Sequence, residues 1–276
     1  MIAAAETSPV TTRAVRLDSR HLATLPAAIR VPAYDRNRLE AGIVHLGIGA
    51  FHRAHQAVYI DDLLHKRFGP WGITGISLRQ ATVREALEPQ DGLYTVVSRE
   101  RARADYRVIG SVKSVLVATE NPEAVLRCLT APATRVVTIT VTEKGYCFAT
   151  DGRLDSNHPE IKHDLAAPRA PTSTIGFLVE ALRRIRASGK AAPTIVSCDN
   201  LPSNGSTLRR TLIDFASLHA DGLAAWIEGS VAVPSTMVDR IVPAATEADR
   251  AEVKSALAVE DRGTVVGEPF SQWVVE

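Results

Sequence analysis

The 276-residue sequence predicts an α/β protein: a doubly wound, mostly parallel sheet with an inserted β-hairpin. Three observations carry that expectation. Short apolar or β-branched runs alternate with amphipathic stretches along most of the chain. The first run, Ile43 to Leu46, ends in Gly47-Ile48-Gly49, and apolar residues then recur at helical spacing: Ala50, Ala54, Ala57, Ile60 and Leu64. Polar clusters fall at the ends of three such runs, Gly47-Ile48-Gly49, Thr142-Glu143-Lys144-Gly145 and Cys198-Asp199-Asn200. In parallel sheets ligands sit beyond the carboxyl ends of the strands, so these clusters mark a site.

Composition narrows the class. The length suits one large α/β domain or two smaller ones. Hydrophobic content of 45% and charged content of 23% are ordinary for a soluble globular protein. A net charge of +1, with Lys and Arg spread out, offers nothing to attract nucleic acid or an anionic membrane surface. Cys128, Cys147 and Cys198 are odd in number and far apart, which argues for a reducing compartment and small buried thiols. No apolar run is long enough to span a bilayer, and the N-terminus lacks a basic stretch followed by an apolar core. The expected setting is the cytoplasm.

In chain order, residues 1–16 are rich in Ala, Thr and Ser and read as a poorly ordered tail. Residues 17–39, punctuated by Pro26 and Pro32, are expected to pack on a surface without a long element. The opening strand and its helix run to about Lys66, a second strand covers 72–78, and a short helix covers 82–87. Residues 93–98 and 106–117 alternate and are β-branched; the charged run 99–105 between them spells the hairpin. Asn121 caps, and Pro122 opens, a helix to Leu129. Residues 135–142 are strongly β-forming, whereas 151–171 are polar and proline-broken and read as a loop with His158 and His163 in solvent.

The second half continues the alternation. Residues 174–188 form an amphipathic helix with Ile175, Leu178, Val179, Leu182 and Ile185 on one face. A buried strand at 194–198 precedes a helix over about 206–219, and further helices are expected at 223–228 and 247–257. The final run, Phe270 to Val275, looks like a strand cut off in mid-element, an apolar segment without its partner and prone to aggregate.

The glycine turn carries the clearest chemistry. Strand, tight turn and helix bring free backbone N–H groups and the positive end of a helix dipole to one point, where a pyrophosphate fits. Gly47 makes the turn and Gly49 admits the phosphates, while the third position of G-x-G-x-x-G is His52. This is a Rossmann-like start, and NAD is the cofactor it implies. The second strand ends in Ser77-Leu78-Arg79-Gln80, with no acid to read a ribose. Arg79 either faces a 2′-phosphate, stacks on adenine or stands in solvent, so NADP stays open beside NAD. His45, inside an apolar strand, reads as a satisfied core histidine. His52 and His55, three apart, would need an acid or Cys to complete a metal site with His45, and none is in place.

Several separate motifs in order resemble the mannitol dehydrogenase family of polyol-specific long-chain dehydrogenases, which includes fructuronate reductase (mannonate oxidoreductase). They are Gly47-x-Gly49-x-Phe51-His52-Arg53-Ala54-His55, Asp91-Gly92-Leu93-Tyr94, Thr142 to Tyr146, Cys198-Asp199-Asn200-Leu201-Pro202-x-Asn204-Gly205 and Met237 to Ile241. The resemblance runs from about Leu17 to the last residue. It implies a cofactor loop of Gly47, Ile48, Gly49, Ala50, Phe51 and His52, with Arg79 at the ribose end. His52 is then the family's own residue at the third position. Asn200 is implied as the amide that helps bind substrate or the developing oxyanion, with Glu143 and Asp239 as acids bordering the same cavity.

The implied reaction interconverts a sugar alcohol or aldonate, such as mannitol or mannonate, with its ketose, fructose or fructuronate. Oxidising a secondary alcohol passes through an alkoxide-like state, which a neutral amide donor stabilises. A base takes the hydroxyl proton, and the nicotinamide carries the hydride chemistry. In the family that base is a lysine of a second domain, followed closely by an asparagine and a histidine. Lys144 and Lys254 match other positions. The expected organisation is therefore a dinucleotide-binding domain over 17–262 and, at 263–276, the start of a C-terminal catalytic domain that is absent and would be its intramolecular partner. The alternative function is a catalytically inactive nucleotide-binding fragment. The partners expected are a small sugar alcohol or sugar acid, with no nucleic acid, no membrane and no metal.

Overall fold

The computed structural model describes residues 15–100, 103–219 and 222–276. Its strands are β1 (Ala41–Leu46), β2 (Gly72–Ser77), β3 (Tyr94–Glu100), β4 (Arg103–Ile109), β5 (Val112–Val117), β6 (Val136–Ile139), β7 (Thr194–Ser197), β8 (Thr236–Asp239), β9 (Val265–Gly267) and β10 (Gln272–Val275). The α-helices are α1 (Ala50–Ala54), α2 (Gln56–Lys66), α3 (Thr82–Leu87), α4 (Pro122–Leu129), α5 (Pro159–Ala166), α6 (Thr174–Ala187), α7 (Asn204–His219), α8 (Leu223–Ser230) and α9 (Glu247–Leu257).

Five strands form the parallel sheet β5-β2-β1-β6-β7. Alternation along β1 divides the core. Val44 and Leu46 face one side, where they pack with Val125 and Leu126 of α4, Phe177 and Leu178 of α6, and Leu208 and Leu212 of α7. Ile43 faces the other side, with Ala54 and Ala57 from α1 and α2. Helices on both faces bury the sheet twice over, which is why its strands are apolar rather than alternating with polar residues. The strand order reverses between β1 and β6, the switch point where this fold class places its ligand.

β1 and β2 are locked at their carboxyl ends. Ile48, 2% exposed, lies over Gly75 so closely that a Cβ there would stand 2.1 Å from Ile48 Cδ1. The backbone N–H groups of Gly47 and Ile48 both donate to Ile76 O, at 2.9 and 3.2 Å. Elsewhere, buried Asp61 ties three segments together. It accepts from Tyr34 Oη at 2.5 Å, Gly110 N at 2.9 Å and Arg107 Nη2 at 2.5 Å.

The elements differ from expectation in five places. Of the expected tail, residues 1–14 lie outside the described residues. Its end is pinned: Leu17 N donates to Glu260 O at 2.8 Å and Glu260 N to Val15 O at 2.7 Å. The first helix breaks at His55, whose Nε2 donates to Gln272 O at 2.8 Å and so is committed to β10. The inserted hairpin is β3 with β4 alone; the chain turns at Gly110, held by Asp61, and β5 enters the parallel sheet beside β2.

The fourth difference is α5, which occupies the middle of the expected loop. Pro159 sits at its first turn, where its missing N–H costs nothing, and His158 Nδ1 accepts from Glu160 N at 3.3 Å. His163 is exposed as expected, but His158 is half-buried. Last, the closing strand has a partner: β10 pairs antiparallel with β8, and Trp273 packs on Tyr59 with ring centroids 5.7 Å apart. Residues 263–276 thus supply β10 and also β9, three residues running parallel to β3.

Candidate functional site

A cleft of about 550 Å³ opens at the carboxyl ends of β1, β2 and β6. Its floor is the glycine turn. Gly47 has φ +95°, and a Cβ there would fall 2.1 Å from Thr140 O, so only glycine fits. Gly49 is exposed, and a Cβ on it would have nothing nearer than Gly47 O at 3.8 Å. It begins α1 with no side-chain cap. Among the described residues nothing accepts a hydrogen bond from the backbone N–H of Ala50, Phe51 or His52. Unfilled space in front of Gly49 and three unused donors make a cradle for an anionic group.

The walls come from three other segments. Ser77, Leu78, Arg79 and Gln80 leave β2; Thr140, Val141 and Thr142 leave β6; and Lys144, Gly145, Glu160, Thr172 and Thr174 close the far side. The β6 exit is shaped by buried Asp199. Its carboxylate accepts from Val141 N at 3.1 Å, Thr142 N at 2.9 Å and Tyr146 Oη at 2.8 Å. These bonds hold Thr142 at φ +64°, a left-handed conformation a threonine adopts only under constraint. Burial pushes the Asp199 carboxyl above its usual range, against the three hydrogen bonds that pull it down. A second groove, of about 630 Å³, lies between α3, α9 and residues 260–262, away from the strand ends.

A sequence model of the mannitol dehydrogenase Rossmann domain matches residues 41–276. The chain belongs to the mannitol dehydrogenase family. It is 46% identical over 250 residues to D-mannonate oxidoreductase of Escherichia coli (strain K12), covering 89% of this chain and 51% of that protein. It is 41% identical over 273 residues to mannitol 2-dehydrogenase of Pyricularia oryzae, covering 95% of this chain and 54% of that one. The structure of Pseudomonas fluorescens mannitol 2-dehydrogenase, a ternary complex with NAD and D-mannitol, superposes with TM-score 0.91 at 40% identity, over 95% of this chain and 54% of that one. The chain thus spans about half the length of the relatives it matches.

Of the residues expected in the family's cofactor loop, Gly47, Ile48 and Gly49 line the cleft, as does Arg79. Ala50, Phe51 and His52, which follow Gly49 in α1, are not among the residues lining the cleft. The Phe51 ring stacks on His55, centroids 5.0 Å apart. The His52 ring is fully buried and lies beneath α2, bordering an apolar cavity of about 200 Å³ with Ile43, Ile60 and Trp71. His45 is the satisfied core histidine expected: Nδ1 meets Thr138 Oγ1 at 2.7 Å and Nε2 meets Thr140 Oγ1 at 2.9 Å.

Asn200, Glu143 and Asp239 are all exposed and none lines the cleft. Asn200 follows Asp199 at the end of β7, Glu143 opens the turn after β6, and Asp239 ends β8. Asn204 joins two of these segments, since its Nδ2 donates to Asp199 O and Thr236 O, each at 3.0 Å. Glu160, Thr172 and Thr174 also line the cleft without being singled out in the sequence; for Glu160, in α5, the Pro159-Glu160 pair is the available helix-start signal. Among the described residues no three His, Cys, Asp or Glu side chains group as metal ligands, and no helix is long and apolar enough to cross a membrane. Burial pushes the Cys147 and Cys198 thiols up to about 12, so neither is a ready nucleophile.

Proposed function

We propose that this chain is the NAD-binding part of a secondary-alcohol dehydrogenase that interconverts a sugar alcohol or aldonate with its ketose. The observation that carries the reading is the uncapped glycine turn at the β1/β6 switch point, with open space before Gly49 and free N–H groups at Ala50, Phe51 and His52. Relatives named as mannitol 2-dehydrogenase and D-mannonate oxidoreductase supply the two substrate classes. When bound, the nicotinamide would supply hydride transfer.

The chain's own residues do the rest of what falls to them. Ala50 and Phe51 N–H groups would bind the pyrophosphate, and the Thr140 to Thr142 exit would border the nicotinamide end. Asn200 would donate its amide to the substrate oxygen as negative charge gathers there. Glu143 and Asp239 would border the sugar. By the family resemblance, the general-base lysine would fall in the half of the relatives that this chain does not span. We therefore propose that residues 17–262 form the dinucleotide domain, that the chain alone binds nucleotide without turnover, and that it works in a reducing, cytoplasmic setting.

Isothermal titration with NADH tests the first part: binding is expected, and its absence overturns the dinucleotide reading. Assays of NAD reduction with mannitol and mannonate test the second. Sustained turnover by the chain alone would show that the base lies within it.

A further inference from the structure

Arg79 and Glu160 reach into the cleft from elements 81 residues apart in sequence, and their side chains meet with Nη2 2.5 Å from Oε1. Arg79 leaves the end of β2, its backbone oxygen accepting from Thr119 Oγ1 at 3.3 Å. Glu160 stands in the first turn of α5, held by the His158 contact to its N–H. The arginine side chain is 72% exposed and the glutamate 23%, so the glutamate is the better fixed of the two. Among the described residues Glu160 Oε2 has no hydrogen-bond partner.

In a dinucleotide fold the end of the second strand reads the adenosine ribose. An acid there accepts from the ribose 2′-hydroxyl, and an arginine accommodates a 2′-phosphate. The strand end of this chain has the arginine and lacks the acid. Taken alone, that favours the phosphorylated cofactor. The pair reverses the expectation. Glu160 brings the missing carboxylate from across the cleft and cancels the charge that a 2′-phosphate would seek.

Resting on the dinucleotide reading proposed above, we infer that Glu160 sets the choice between NAD and NADP. Its Oε1 occupies Arg79, and its Oε2 accepts a ribose hydroxyl. A 2′-phosphate must displace the ion pair and sit against a carboxylate, so the nucleotide without that phosphate is preferred. Discrimination is bought by repulsion rather than by an extra contact.

The test is calorimetric titration of the full chain with NADH and with NADPH at low salt, for the wild type, Glu160→Gln, Arg79→Gln and the double substitution. Melting curves by circular dichroism check that each is folded. The wild type is expected to bind NADH more tightly. Glu160→Gln is expected to tighten NADPH about fivefold or more, the scale of one partly exposed charge, and the double substitution to lose that gain. Arg79→Gln alone is expected to leave NADPH the weaker ligand. A wild type that prefers NADPH, or a Glu160→Gln variant with an unchanged ratio of the two affinities, overturns the inference and leaves the dinucleotide reading standing. A wild type that binds neither nucleotide overturns both.

Discussion

The imidazole of His52 lies flat on that of His45, ring centroids 3.4 Å apart and planes 15° from parallel. Both rings are fully buried, and neither nitrogen of His52 has a hydrogen-bond partner. Burial lowers His45 to about 3, and it drives His52 well below its usual value, with the His45 ring adding to the effect. The pair is neutral in the fold, face to face rather than converging on a metal.

Stability should therefore fall on mild acidification. In the unfolded chain each histidine takes up a proton near pH ~6.5, which the fold refuses. The stabilisation is complete above that pH and is lost as pH falls below it, by about 1.4 kcal/mol per pH unit per ring. Urea unfolding at pH 7.5 and pH 5 should differ by roughly 2 kcal/mol or more. Equal midpoints would mean that the rings are protonated in the fold.

The two glycines of the turn should separate stability from binding. Gly47→Ala places a Cβ on Thr140 O at positive φ and is expected to cost roughly 2–4 kcal/mol, read as a lowered melting temperature. Gly49→Val meets open space and should leave stability within about 0.5 kcal/mol while weakening NADH binding, because its branches would stand in the proposed pyrophosphate seat. Equal melting temperatures for the two variants would contradict this division.

Asp199→Ala removes the acceptor shared by Val141 N, Thr142 N and Tyr146 Oη. With three donors stranded, a loss of about 2–4 kcal/mol is expected, together with weaker NADH binding as the β6 exit relaxes. Hydrogen exchange at the Val141 and Thr142 amides would check it. Unchanged protection there would show that Asp199 does not hold the segment.

Asp61→Ala should be the costliest of these substitutions. It strands the Arg107 guanidinium, whose side chain is 9% exposed, and frees the Tyr34 hydroxyl and Gly110 N–H. Breaking a buried ion pair from one side typically costs about 3–5 kcal/mol. Chemical denaturation measures it, and a loss below 1 kcal/mol would mean that Asp62, 2.7 Å from Arg107 Nη1, takes over as its counter-charge.

What the sequence made legible was local. Apolar runs, the Asn121-Pro122 helix start and the glycine turn announce themselves within a few residues, and each lies where it was expected. What it concealed depends on distant partners. The chain turns at Gly110 because Asp61, 49 residues earlier, accepts its N–H. Three-residue β9 exists because Asp261 accepts from Gln90 Nε2 and Thr95 N at 2.7 and 2.5 Å. α5 is hidden differently: Pro159, in a proline-broken polar stretch, opens the helix instead of breaking it. In the cleft, the glycine turn was legible, whereas the Arg79–Glu160 contact joins residues 81 apart and has no local signature.

The seat of Ile48 on Gly75 makes the glycine turn hard to transplant. The loop carries its own plug but not the notch that receives it, since that notch is a missing side chain on a different strand. Residues 42–55 grafted onto another parallel sheet would bring every residue of the turn and still spring open unless the neighbouring strand were hollowed at the matching position. The inheritable unit is a two-strand fitting, and an engineer who copies only the glycine motif copies half of it.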